Sequence, residues 1–254
     1  MLRSINKLTG NKIIAVDGEI GNLDYFFFDD EAWTIRYLVV NTGNWLTGRQ
    51  VLISHHSINN VNWVEGGVYV SLTMKQVEQS PAIDVLKPIS RLQEAAFLNY
   101  YEQPYYWDSA ELWATAAAPD LIHTAGAVQA DTAFINESTT SVTDTRLRST
   151  ETVSGYPIAA LDGELGHVED FVVDDESWAI RYLVVATRNW WPGKKVIIAP
   201  QWINSVNWRD TKVHVNLTRE AIKGSPEFSE ATLISREYEN QLYRYYGHPG
   251  YWQD

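Results

Sequence analysis

Two acidic triplets, Asp29-Asp30-Glu31 and Asp174-Asp175-Glu176, are the densest carboxylate groups in the chain. Three adjacent acids are the raw material for a hard-cation site, since Ca²⁺ takes about six to eight oxygen ligands. Neither triplet has the DxDxDG spacing of a calcium loop. Both therefore read as hairpin turns in which solvated acids bond to nearby backbone amides, and no metal is expected. A few residues further on, Arg36 and Arg181 interrupt apolar runs, "TIRYLVV" and "AIRYLVV". On a strand, alternation puts Ile35, Tyr37 and Val39 on one face and Arg36, Leu38 and Val40 on the other. An arginine so placed lies partly buried and wants a carboxylate. The turn acids are nearest in sequence, with Glu94 and Glu239 as helical alternatives, and a structural salt bridge is expected in preference to anion recognition.

Other chemistry is sparse. His55, His56, His123, His167, His214 and His248 show no metal-ligand spacing. There is no cysteine, G-x-S-x-G, P-loop or G-x-G-x-x-G. Ser90-Arg91 and Ser235-Arg236 fit helix N-caps. No catalytic residue and no cofactor is assigned, and a non-enzymatic protein is expected. Two aromatic tails remain, "YYEQPYYW" with Tyr106 and Trp107, and "YYGHPGYW" with Tyr251 and Trp252. Exposed, they would form an adhesive patch. Burial is expected instead, as a lid on a barrel end or a seam between copies, because so much aromatic surface invites aggregation.

The elements that must position these residues occur twice. "DDEAWTIRYLVVNTGNW", ending at Trp45, and "DDESWAIRYLVVATRNW", ending at Trp190, agree at 13 of 17 positions. Over the longer span, residues 1–108 align with 146–253 at 47 identities without a gap, which marks a duplication. The organisation expected is one copy over 1–107, an acidic Ala/Thr/Ser-rich linker over 108–148 and a second copy over 149–254. In the first copy, strand-like runs lie at 13–16, 21–28, 33–41, 50–53, 58–63 and 68–72, closed by turn residues. Six short strands with tight turns suggest a small closed barrel. A short helix capped by Thr73 and a second over 90–101 follow, and the pattern repeats after Thr218 and Ser235. Within the linker, residues 110–117 suit a short helix.

The pattern G-x-L/V-x-D/E-x-x-F/V-D-D-E-x-W-x-I-R-Y-L-V-V, with its T-x-N-W-x-x-G turn and V-x-I strand, spans 21–53 and again 166–198. It resembles the PRC-barrel domain, the β-barrel family that includes the cytoplasmic domain of the photosynthetic reaction-centre H subunit and a domain of the ribosome maturation factor RimM. The resemblance implies a mainly β fold, two small barrels each followed by short helices, and a docking or adaptor role in a bacterial cytoplasm. The alternative it implies is an accessory of photosynthetic or electron-transport complexes. An H subunit carries an N-terminal membrane helix and RimM a different preceding barrel. Neither feature is read here, so neither function is transferred.

Composition narrows the partners. The net charge is −12, with no Lys/Arg cluster, which excludes an electrostatic footprint for nucleic acid or anionic lipid. No apolar run approaches the roughly 20 residues of a bilayer span, so a soluble protein is expected. An unidentified protein partner is expected, with the two copies pairing within one chain about a pseudo-two-fold axis.

Overall fold

A computed structural model of the protein describes residues 1–107, 146–187, 194–229 and 234–253. Trp190, His123 and the helix expected over 110–117 lie outside the described residues. The strands of the first copy are, in chain order, β1 (Leu2–Ser4), β2 (Lys12–Ile14), β3 (Glu19–Asp29), β4 (Thr34–Asn41), β5 (Gln50–Ser54), β6 (Ile58–Val61) and β7 (Val68–Val70), and all of them but β1 lie in the first sheet. The order across the sheet is β5-β4-β3-β2-β7-β6. Its two outermost strands are joined by the single 3₁₀ turn His55–Ser57, so the sheet curls until its ends are three residues apart in the chain. The β2–β7 pairing is parallel and the rest of the path antiparallel.

The long strand β3 explains how the sheet bends. It pairs with β2 along its first half and with β4 along its second, with register shifts between Leu23 and Tyr25 and between Phe27 and Phe28. Such bulges increase twist and let a short sheet close. Gly21 sits where β3 crosses β4's end. A β-carbon there would come 2.0 Å from the Asn41 carbonyl oxygen, and Gly166 meets the Ala186 carbonyl oxygen at 2.0 Å in the second copy. Because both obstacles are backbone atoms, Gly21→Ala is expected to destabilise the fold by about 1–3 kcal/mol or more. Urea denaturation with an unchanged midpoint would contradict this.

α1 (Met74–Glu78) and α2 (Arg91–Tyr100) follow the strands. Thr73 Oγ1 accepts from Gln76 N at 3.1 Å, and Ser90 forms a capping box with Gln93. Residues 79–145 cluster as a separate compact unit, of which 79–107 are described. The second copy repeats the plan with β8 (Leu147–Ser149), α3 (Thr150–Val153), β9 (Pro157–Ala160), β10 (Gly163–Asp174), β11 (Ile180–Ala186), β12 (Lys195–Ile198), β13 (Ile203–Asn207) and β14 (Lys212–Val215). Then come α4 (Arg219–Gly224), capped by Thr218, and α5 (Arg236–Tyr246), capped by Ser235. Its sheet order, β12-β11-β10-β9-β14-β13, matches the first.

The sheets do not follow the chain boundary between copies. β1 pairs with β10 of the second copy, and β8 pairs with β3 of the first. The registers are equivalent: Leu2 opposes Asp174, and Leu147 opposes Asp29. The copies have exchanged their first strands, giving two seven-stranded sheets. β8 begins at Leu147, inside the stretch expected as linker.

The seam between the two sheets is reciprocal. Ile35 N donates to Trp178 O at 2.9 Å and Ile180 N to Trp33 O at 2.7 Å, while Thr34 bridges its own counterpart Ala179. These are the contacts of a pseudo-two-fold axis passing near Thr34 and Ala179. Trp33 and Trp178 both adopt positive φ, 49° and 58°, a conformation rare for bulky residues. Here it aims each carbonyl across the axis. Phe28 and Phe171 meet at 5.7 Å, and Phe26 meets Trp178 at 6.2 Å, so the seam continues the apolar core.

Candidate functional site

The acidic triplets occupy the β3–β4 and β10–β11 turns. Asp29 Oδ1 accepts from the backbone of Glu31 at 3.1 Å and Ala32 at 2.7 Å; Asp174 Oδ1 accepts from Ser177 N at 2.9 Å and Glu176 N at 3.3 Å. The second acid of each turn reaches across to the exchanged strand. Arg148 Nε donates to Asp30 at 2.7 Å, and Arg3 Nε lies 3.5 Å from Asp175. Arg146 pairs with Glu31 as well. Backbone amides complete the symmetry, Asp30 N bonding Arg146 O and Asp175 N bonding Met1 O, both at 2.9 Å. Burial raises the Asp30 carboxyl, and the Arg148 hydrogen bond only partly offsets it. Asp174 is also pulled upward by burial, but bonds from the Ser177 backbone and hydroxyl outweigh this and leave it lowered. The acids nearest in sequence to Arg36 and Arg181 thus serve Arg3, Arg146 and Arg148 of the other copy's strand. Among the described residues no group of three or more His, Asp or Glu has metal-ligand geometry.

Arg181 does something other than pair with a carboxylate. Its guanidinium lies 4.1 Å over the Tyr251 ring, a cation–π contact. Glu239, 2% exposed on α5, accepts hydrogen bonds from Tyr182 at 2.8 Å and Tyr251 at 2.9 Å and pairs with Arg236 at 3.0 Å. Trp252 packs on Arg236 at 4.1 Å and on Tyr243 at 5.1 Å. The Tyr243 hydroxyl is pushed up to about 12, chiefly by burial, and Tyr182 is raised further by burial, Tyr243 and Glu239. The second tail is therefore tied to α5 and β11 of its own copy, while the seam is built by Phe28, Phe171 and the paired tryptophans. Within residues 79–107, Glu94 accepts from Tyr106 at 2.7 Å and Arg91 at 3.1 Å, Arg91 lies 4.5 Å over Trp107, and Tyr105 stacks on Trp107 at 5.0 Å. Arg36 is half-buried on β4, and its carbonyl oxygen lies 3.1 Å from His55 Nδ1. Burial and the adjacent His56 pull His55 down to about 4.

An open cleft of about 400 Å³ lies at one end of the first sheet, where the turn 41–45 faces the start of β3. Glu19, Asn22, Asp24, Asn41, Asn44 and Trp45 line it. Trp45 is held in place by its indole N–H, which donates to Ile20 O, and Asp24 by Gln50 at 2.8 Å. The cleft thus presents two acids, three amides and an aromatic ring, and no base among its lining residues. The equivalent turn of the second copy runs into residues 188–193, outside the described residues.

Sequence reasoning passed over Arg3, Arg148 and Asp170. The tripeptide Leu-Arg-Ser is identical at 2–4 and 147–149, a signal that could have marked the exchanged strand. Asp170 is 8% exposed, accepts from Phe171 N at 2.7 Å and Asn6 N at 3.3 Å, and takes the Ser4 hydroxyl as well.

Two matching, mostly antiparallel sheets grown from one duplicated sequence define a mainly β tandem-domain protein. The PRC-barrel domain family model matches residues 2–76, and the matching second sheet suggests a second copy. No curated protein matches the chain. Among the described residues no helix is long and apolar enough to cross a membrane.

Proposed function

We propose that this protein is a non-enzymatic interaction module of a bacterial cytoplasm, a preassembled pair of PRC-type barrels that docks on another protein through the cleft beside Asn41–Trp45. The observation that carries the reading is how the charged groups are used. The turn acids, their arginines and Glu239 are engaged in strand exchange and helix docking, whereas the cleft's Glu19 and Asp24 are held by local partners alone, Lys12 and Gln50, beside an anchored tryptophan. Its acids and amides suit a partner segment carrying basic or hydrogen-bond-donating side chains and one apolar group for the Trp45 face.

Capture from cells of the native organism, with the full chain as bait, tests the proposal. Asn44 is exposed at the rim, so Asn44→Arg is expected to keep the wild-type melting temperature and to reduce recovery of the partner at least tenfold. Equal recovery by both baits would place docking elsewhere. Recovery of a membrane photosystem component would move the reading to an accessory of electron transport.

A further inference from the structure

We infer that the exchanged-strand interface discriminates between the two copies: the socket around Asp170 accepts the strand of the first copy and rejects that of the second. The ladder alone cannot make this choice. Leu-Arg-Ser is the same in both exchanged strands, and Asp-Asp-Glu is the same in both turns. Of the charge differences just after the strand, which include Lys7 against Thr152, the one set against the long strand is Asn6 of the first copy, which corresponds to Glu151 of the second. It faces a position on the long strand where Tyr25 corresponds to Asp170.

The two actual pairings are complementary. Asn6 donates its backbone N–H to Asp170 at 3.3 Å and its side-chain amide to the Glu169 carbonyl at 3.5 Å. At the equivalent place Glu151 stands by Tyr25, next to the bond from Phe26 N to Thr150 Oγ1 at 3.1 Å. The Tyr25 hydroxyl is pushed up to about 12 by burial first and then by the Glu151 and Asp24 carboxylates. Each socket therefore holds at most one acid of this pair. A second-copy strand seated in a second-copy socket would set the carboxylate of Glu151, an exposed residue, beside Asp170, which is 8% exposed and cannot turn out into water. A like charge placed beside a poorly solvated carboxylate is disfavoured. A first-copy strand in a first-copy socket would only set Asn6 against Tyr25.

The rejection is one-sided, and that suffices. If two chains paired through their first copies, both second copies would be left with no permitted partner except a first copy. The assembly is thereby driven to first-with-second pairing, which the single chain satisfies by closing on itself.

The test uses the full-length chain. Asn6→Glu places the second-copy residue against Asp170 and is expected to lower the folded-to-unfolded ratio at least tenfold at neutral pH in urea titrations. Adding Asp170→Tyr, which recreates the Glu151–Tyr25 pair, is expected to recover most of that loss. The reverse exchange, Glu151→Asn, should change the ratio less than threefold. If Asp170→Tyr does not fold by itself, Asp170→Asn removes the charge at constant size and takes its place in the cycle. An Asn6→Glu penalty that is the same with and without the Asp170 charge would overturn the inference, as would a Glu151→Asn penalty equal to that of Asn6→Glu.

Discussion

Glu239→Ala is expected to destabilise the protein by about 3–5 kcal/mol, the usual consequence of removing one partner from a buried polar network. Tyr182 is fully buried and its hydroxyl donates to Glu239 at 2.8 Å, so the truncation leaves that donor in an apolar interior. The Arg236 contribution is small by comparison, because that side chain is 51% exposed and solvent screens the ion pair. Glu239→Gln keeps an acceptor and the side-chain volume, and should lose less than half as much. The measurement is urea denaturation of both variants, alone and combined with Tyr182→Phe. A Glu239→Ala loss that persists unchanged in the Tyr182→Phe background would show that the hydroxyl is not what the carboxylate serves. Since Tyr251 also donates to Glu239 at 2.9 Å, the C-terminal tail of Glu239→Ala should be cut by protease sooner than that of the wild type.

How much of this arrangement was legible depended on whether the signal was periodic. The strands from β2 to β7 fell within about two residues of the apolar alternation, and helix starts were readable from Thr73, Ser90, Thr218 and Ser235, whose hydroxyls accept from the first turn. The exchanged strands were not. Three residues are too short to show a period of two, and an exchange leaves no mark on the composition of either copy. The triplet acids were read as turn formers, and Asp29 and Asp174 do bond local amides. What a single sequence could not convey is that Asp30 and Asp175 face arginines about 118 and 172 residues away in the chain. Glu239 is one candidate partner for Arg181 in the sequence, yet it is bonded by Tyr182, Tyr251 and Arg236, and the tail's Tyr251 covers the Arg181 guanidinium instead. Asp170 escaped notice because comparison of the copies highlights identity, and this position differs.

Asp170→Asn is expected to raise stability above pH 7 and to steepen the loss of stability toward acid. Burial first, and the neighbouring Glu169 carboxylate last, lift the Asp170 carboxyl to about 6, against hydrogen bonds from Ser4, Phe171 and Asn6 that pull it down. An acid raised above its unfolded value of 3.8 binds more protons in the folded chain than in the unfolded one between those two pH values. Its stabilising contribution is complete below 3.8 and is lost as pH rises through about 6. A rise of about two units corresponds to roughly 2–3 kcal/mol. His55 works in the opposite sense over an overlapping range. Lowered to about 4, it supports the fold above its unfolded value of 6.5 and ceases to do so as pH falls through about 4. These two contributions oppose each other between pH 4 and 6.5, so the difference between variant and wild type is what isolates Asp170. Asparagine keeps an acceptor for Phe171 N and Asn6 N and offers its amide to the Ser4 oxygen, so little contact is lost. Urea titrations at half-unit steps from pH 4 to 8 should show the variant gaining on the wild type as pH rises, by about 2 kcal/mol or more at the top of the range. A constant difference across that range would mean that Asp170 does not titrate differently in the folded chain.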